Sequence, residues 1–231
     1  MLLGKEVFES RFDAHSVTRK TAYVALEKQT IHYAIFDIPG LIENSESNLE
    51  ENKREIYRAF YMMPDSIIVF IFGTSGGRIN CQDVAAFKAM NVAYGFDNKS
   101  LLLIVNNIPK ERSDQYENEI ITILIRALNI EFQDNVYFMD QIPRQNETEL
   151  AESRDDLWEK VKTRESHLHN RKMDITLDKD RLKEVKKKLE SLEEKLQILH
   201  EHQVHSYEKL ENDVEQIRKT LEGVMRKKKT K

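Results

Sequence analysis

The hydrophobic pattern changes character along the chain. "TAYVALE" (21–27) and "IHYAIFD" (31–37) are short runs rich in β-branched and aromatic residues. Only "KQT" separates them, which predicts an antiparallel hairpin. "NLEENKREIYRAFYMM" (48–63) has a helical apolar face through Leu49, Ile56 and Phe60. "SIIVFIF" (66–72) is almost continuously apolar and predicts a strand buried on both faces. "CQDVAAFKAMNVAY" (81–94) predicts a helix with a broad apolar face broken by Lys88 and Asn91. "SLLLIVNN" (100–107) predicts a second buried strand, "ENEIITILIRAL" (117–128) a helix and "NVYFMD" (135–140) a last short strand. Strands alternating with helices predict an α/β, largely parallel sheet with helices on both faces.

Beyond Pro143 the pattern is different. All four prolines lie in the first 143 residues, and from residue 147 onward Gly223 is the only glycine. This shift predicts a domain over 1–143 and a helical arm over 147–231. Leu182, Val185, Leu189, Leu192, Leu196 and Leu199 are spaced 3-4-3-4-3, the a/d seam of a coiled coil. Tyr207, Leu210, Val214, Ile217, Leu221 and Val224 repeat that spacing after a stutter through Gln203. With Leu182 and Tyr207 at a, Lys188 faces Glu193 and Asp213 faces Arg218 in a parallel pair, so the seam predicts a homodimer.

Bulk numbers narrow the class. The 231 residues carry a net charge of -4, which gives no footprint for nucleic acid. Mean hydropathy is -0.61, and the longest apolar run, "IIVFIF", is far too short to span a bilayer. The start "MLLGKEVFESRF" lacks the apolar core of a signal peptide. Cys81 is the single cysteine, so no internal disulfide is expected. The expectation is a cytoplasmic or membrane-peripheral protein. The basic tail "RKKKTK" suits an anionic membrane surface and equally a solvated terminus.

Candidate chemistry is sparse. Asp37-Ile38-Pro39-Gly40 follows a strand. An aspartate there can hold magnesium, and the glycine lets backbone approach a phosphate. The same residues also suit an ordinary strand-ending turn. Thr18 offers a hydroxyl to a metal, or is simply a surface threonine. "GTSGGR" (73–78) lacks the lysine and hydroxyl pair of a phosphate loop and reads as a connection. The seven histidines form no ligand set, and most are expected to be solvated. Cys81 has no partner for catalysis.

In order and spacing these pieces resemble one family. "LLGKEVFESRFDAHSVTRKT", "FDIPGL" and "MMPDSIIVFIFGTSGGRINCQD" are similar to the immunity-associated nucleotide-binding (IAN, or GIMAP) GTPases, the avirulence-induced-gene type. Ile38 replaces the threonine of their Asp-Thr-Pro-Gly motif. Gly77, Arg78, Ile79, Asn80, Gln82 and Asp83 occupy their Gly-Arg-Phe-Thr-x-Glu-Asp box imperfectly. The resemblance spans about residues 2–143. It implies a P-loop GTPase-like doubly wound sheet that binds GTP or GDP with Mg2+ and hydrolyses GTP slowly or not at all. Thr18 and Asp37 would lie on the metal side, Gly40 would sense the terminal phosphate, and Asn106 would lie on the base side. Leu41 stands where some GTPases carry a water-orienting glutamine. After Asn106-Asn107 there is no base-reading aspartate.

The resemblance also implies something missing. The family's first strand and Walker A loop would precede Leu2, and that strand lies mid-sheet between "HYAIFD" and "SIIVFIF". The sheet is therefore expected to be N-terminally truncated. A nucleotide-free pseudo-GTPase scaffold acting through its coiled coil is the alternative reading.

Overall fold

A computed structural model describes residues 3, 7–8, 18–28, 30–42, 49–130, 134–143, 145–178 and 180–202. Strands β1 (Ala22–Lys28) and β2 (Ile31–Asp37) pair antiparallel from Ala22↔Asp37 to Lys28↔Ile31, the expected hairpin. The register leaves a two-residue turn, and its Thr30 sits at φ 66°, a conformation that β-branched side chains resist.

Helix α1 (Leu49–Met62) buries Ile56 and Phe60 on the expected face, together with Asn52. After β3 (Asp65–Ser66) come β4 (Ile68–Ser75) and β5 (Arg78–Ile79). They are joined through Gly76 at φ 57° and Gly77 at φ 79°. The "GTSGGR" segment is thus a tight hairpin rather than a loose connection, because two adjacent left-handed residues suit the two-residue turn. Helix α2 (Cys81–Tyr94) and a single 3-10 turn (Asn98–Ser100) lead into β6 (Leu101–Ile108). Helix α3 (Tyr116–Leu128), β7 (Val136–Asp140), helix α4 (Glu147–Lys162) and β8 (His167–Leu168) follow.

The main sheet has the order β5-β4-β6-β7, with β4, β6 and β7 parallel and β5 antiparallel. Side chains of β4 and β6 alternate between its faces. On one face Phe70 and Phe72 lie 5.2 and 6.0 Å from the Phe87 ring of α2. On the other, Leu102 and Ile104 pack with Leu157, Trp158 and Val161 of α4. Helices therefore cover both faces, as the alternation of elements predicts.

Two expectations about this sheet are corrected. It is not one continuous doubly wound sheet: β1 and β2 form a separate two-stranded sheet. Among the described residues β2 pairs only with β1, and β4 only with β5 and β6. Nor is β4 buried on both faces, since Val69 is 37% and Ile71 52% exposed. The covering α4 packs on β6 and the partly buried Tyr137 and Met139 of β7, beyond the reach of those two β4 side chains. Strand β6, flanked on both sides, is buried from Leu101 to Val105 as expected.

The stretch from residue 147 is not a separate arm at its start. Compactness groups Met1–Lys186 as one unit and Lys187–Lys231 as another. Helix α4 belongs to the first because its apolar side closes the sheet. Residues 163–178 then run as extended chain, and β8 pairs antiparallel with β3. Ile175 and His169 are buried there, so the expectation of a solvated histidine fails at His169.

Residues 180–202 are helical, with Val185 and Leu189 buried and Leu199 55% exposed. The second heptad block, Gln203 and the basic tail lie outside the described residues. Among the described residues no helix is long and apolar enough to cross a membrane.

Trp158 joins the hairpin to the sheet. Its ring meets Tyr33 edge-on at 5.0 Å, and the Lys28 ammonium lies 4.8 Å above it. Trp158→Ala is expected to destabilise the chain by about 3–5 kcal/mol. Urea unfolding followed by far-ultraviolet circular dichroism measures this, and a change within about 0.5 kcal/mol would show that the indole is dispensable.

Candidate functional site

The hairpin register builds the first half of the site. Because β1 starts opposite the end of β2, the residues just before Ala22 run beside Asp37. Thr18 is close enough for its Oγ1 to donate to Asp37 Oδ2 at 3.0 Å. Both side chains are half-buried. The two expected metal-side residues are thus brought together.

Helix α1 braces both ends of this arrangement. Glu55 accepts from the Thr21 backbone N–H at 2.7 Å, and its carbonyl accepts from the Thr21 hydroxyl at 3.0 Å. The backbone hydrogen bond from Thr21 holds the Glu55 carboxyl below its ordinary range, against a smaller opposing effect of burial. Three residues earlier, Asn52 is 3% exposed, and its Nδ2 donates to the Gly40 carbonyl at 2.8 Å. That bond fixes the turn after Asp37. Among the described residues a Cβ on Gly40 would meet only the Ile42 carbonyl oxygen, at 4.0 Å. The glycine is therefore not required by packing.

The second half lies at the C-terminal ends of the parallel strands. Gly73 pairs with Asn106 across β4 and β6. Asn106 Oδ1 accepts from the Asn107 N–H at 2.8 Å, and Asn107 sits at φ 66°. Thr74 Oγ1 donates to the carbonyls of Asn106 and Asn107 at 3.1 and 3.0 Å. Gln141 Nε2 donates to Asn107 Oδ1 at 2.7 Å. The ladder between β6 and β7 shifts register here. Asp140 is engaged by Arg112 at 2.7 Å. Nearby, Asp83 of α2 accepts from the Gly73 N–H at 2.7 Å, and burial raises its carboxyl against that bond.

The predicted residues thus fall on two sheets. Thr18, Asp37 and Gly40 belong to the hairpin and the turn that leaves it, whereas Asn106 belongs to the four-stranded sheet. Thr18 and Asp37 supply a hydroxyl and a carboxylate, the hard oxygen donors that magnesium takes. Among the described residues no group of three or more His, Cys, Asp or Glu is placed to hold a metal.

Asn52 and Glu55 were missed by motif reading. Asn52 had a signal, since it lies three residues after Leu49 and four before Ile56. A polar residue on the apolar stripe needs a buried partner. Asn107 gave no signal beyond being an asparagine, the non-glycine residue best suited to positive φ.

Residues 1–107 match the family model described as the AIG1 family, so this part of the chain is similar to that family. No curated protein matches the chain.

Asn52→Ala leaves the Gly40 carbonyl without its donor and is expected to cost about 1 kcal/mol in chemical denaturation. Glu55 contributes stability above its ordinary value of 4.5 that is lost as pH falls through its lowered folded value. Glu55→Gln is expected to flatten that acid limb. An unchanged slope of stability against pH below about 4.5 in the variant would assign the limb to other carboxylates.

Proposed function

We propose that the chain is a guanine-nucleotide-binding protein of the GIMAP type, with slow or no hydrolysis. The observation that carries this reading is the Thr18–Asp37 hydrogen bond of 3.0 Å at the end of β2. A threonine hydroxyl on a carboxylate, in sequence similar to the AIG1 family, is the arrangement a nucleotide-bound magnesium uses. Magnesium there would neutralise charge between the terminal phosphates. Thr18 and Asp37 would orient it, and the Gly40 N–H would face the last phosphate. Asn106 would lie on the base side. Leu41 is 3% exposed and carries no proton-handling group, in keeping with slow turnover.

These positions reach the metal and the terminal phosphate, but they do not cradle the phosphate chain. The 231 residues contain no G-x-x-x-x-G-K-[ST] segment, whose backbone N–H groups and lysine supply most of that grip. Binding by this chain alone is therefore expected to be weak. A second reading, the nucleotide-free scaffold, is favoured by one observation: the hairpin and the four-stranded sheet share no ladder among the described residues. In that reading the exposed Leu199 of the 180–202 helix belongs to a self-association seam.

Calorimetric titration of the full chain with GTP, with and without magnesium, separates the two. The nucleotide reading expects weak binding that needs magnesium and falls about tenfold or more in Asp37→Ala. No binding, or binding indifferent to both, supports the scaffold. Sedimentation of the same chain at micromolar concentration tests the seam, and a monomer would remove the dimer from the scaffold reading.

A further inference from the structure

Residues 163–178 leave α4 and lie across the molecule as a strap. Their backbone N–H groups are donated in series to groups of other elements. Glu165 donates to the Lys99 carbonyl at 2.9 Å, His169 to Pro64 at 2.8 Å and Lys172 to Ala93 at 2.8 Å. Ile175 donates to the Tyr57 hydroxyl at 2.8 Å, and the Arg171 guanidinium lies 4.3 Å over the Tyr57 ring. Two residues, His167 and Leu168, pair with β3. The strap thus ties the ends of α1 and α2 to the 3-10 turn.

One buried ring sits at its centre. His169 is 3% exposed and lies edge-on to Phe60 at 5.9 Å and to Phe96 at 5.6 Å. Its Nε2 is 3.0 Å from the Ser66 carbonyl oxygen and 3.4 Å from Ser100 Oγ. A carbonyl only accepts, so Nε2 carries the proton and the ring is the neutral Nε2–H tautomer. Its Nδ1 is buried with no hydrogen-bond partner among the described residues. A proton arriving there would create a buried cation whose new N–H has no acceptor among them.

We propose that residues 163–178 form a pH-sensitive strap whose latch is the His169 imidazole: neutral, it seats the strap; protonated, it releases it.

Asp65 of β3 and Asp97 before the 3-10 turn favour the charged ring, and His167 of β8 opposes it. Tyr94 of α2 is neutral, its hydroxyl pushed up to about 12 by burial in the same aromatic cluster. Ser66 favours the charged ring through its carbonyl, but burial outweighs it and holds His169 below the ordinary histidine range. The sign follows. Above about pH 6.5 the ring is neutral in both the docked and released strap, so pH has no effect. Below it the released strap takes up a proton that the docked strap resists, and docking weakens with each further drop. Release uncovers the stacked Phe60, Tyr94 and Phe96 rings and the edge of β3.

Hydrogen exchange of the full chain between about pH 7.5 and 5.0, corrected for intrinsic rates, tests this at the amides of His169, Lys172 and Ile175. Their opening is expected to rise below about pH 6.5 with a slope approaching tenfold per pH unit, one proton per release. His169→Phe keeps a ring in the aromatic cluster and is expected to abolish that slope. A flat wild-type profile, or the same slope in the variant, overturns the proposal. Should the variant not fold, imidazole titration by nuclear magnetic resonance in the native chain decides. A proton on Nε2 and a value below about 6.5 support the latch, and a value at or above it overturns it.

Discussion

The arrangement of this molecule depends on how a hairpin is held without a ladder. Backbone pairing normally fixes a strand in a sheet, and among the described residues β1 and β2 pair only with each other. Their position comes from side chains instead. Leu26, Tyr33 and Ile35 pack on the cluster of Leu102, Ile104 and Trp158, while Glu55 of α1 grips Thr21. Apolar packing is strong but weakly directional, whereas ladder bonds fix register. The Thr18–Asp37 pair is therefore well defined within the hairpin and is set relative to the strand ends of the main sheet by side-chain packing and side-chain hydrogen bonds rather than by a ladder.

Most elements were legible because their periods are clean. The short turn between two strand-like runs, the continuous β6 run and the helical stripe through Ile56 and Phe60 each admit one reading. Strand β4 looked like β6 in sequence but differs in its surroundings. Burial is set by neighbours, and Val69 and Ile71 remain exposed. The boundary near Pro143 was drawn from proline and glycine content, which reports backbone stiffness and is silent on packing. Helix α4 carries Val161 four residues after Leu157 and three after Trp158, a stripe that belongs to a core.

The site was legible at the level of motifs. Thr18 and Asp37 meet because an antiparallel register folds nearby sequence back on itself, which a hairpin already implies. Asn106 could be placed at a strand end but not related to them, since that relation passes through two sheets. The long-range bonds of the strap, such as Ile175 to Tyr57, had no local signature at all. They link residues whose separation along the chain exceeds any periodic pattern.

Trp158 is the only tryptophan in the chain and stands where hairpin, α4 and sheet converge. An indole in that position is an optical reporter built into the fold. Its emission samples a dry apolar cluster on one side and a lysine ammonium on the other, so it reads the seating of the hairpin. The neighbouring Tyr33 ring, 5.0 Å away, lies within easy range to pass excitation to it. Light absorbed by tyrosine and re-emitted by this single ring thus distinguishes a seated hairpin from one that has swung away, without any added label.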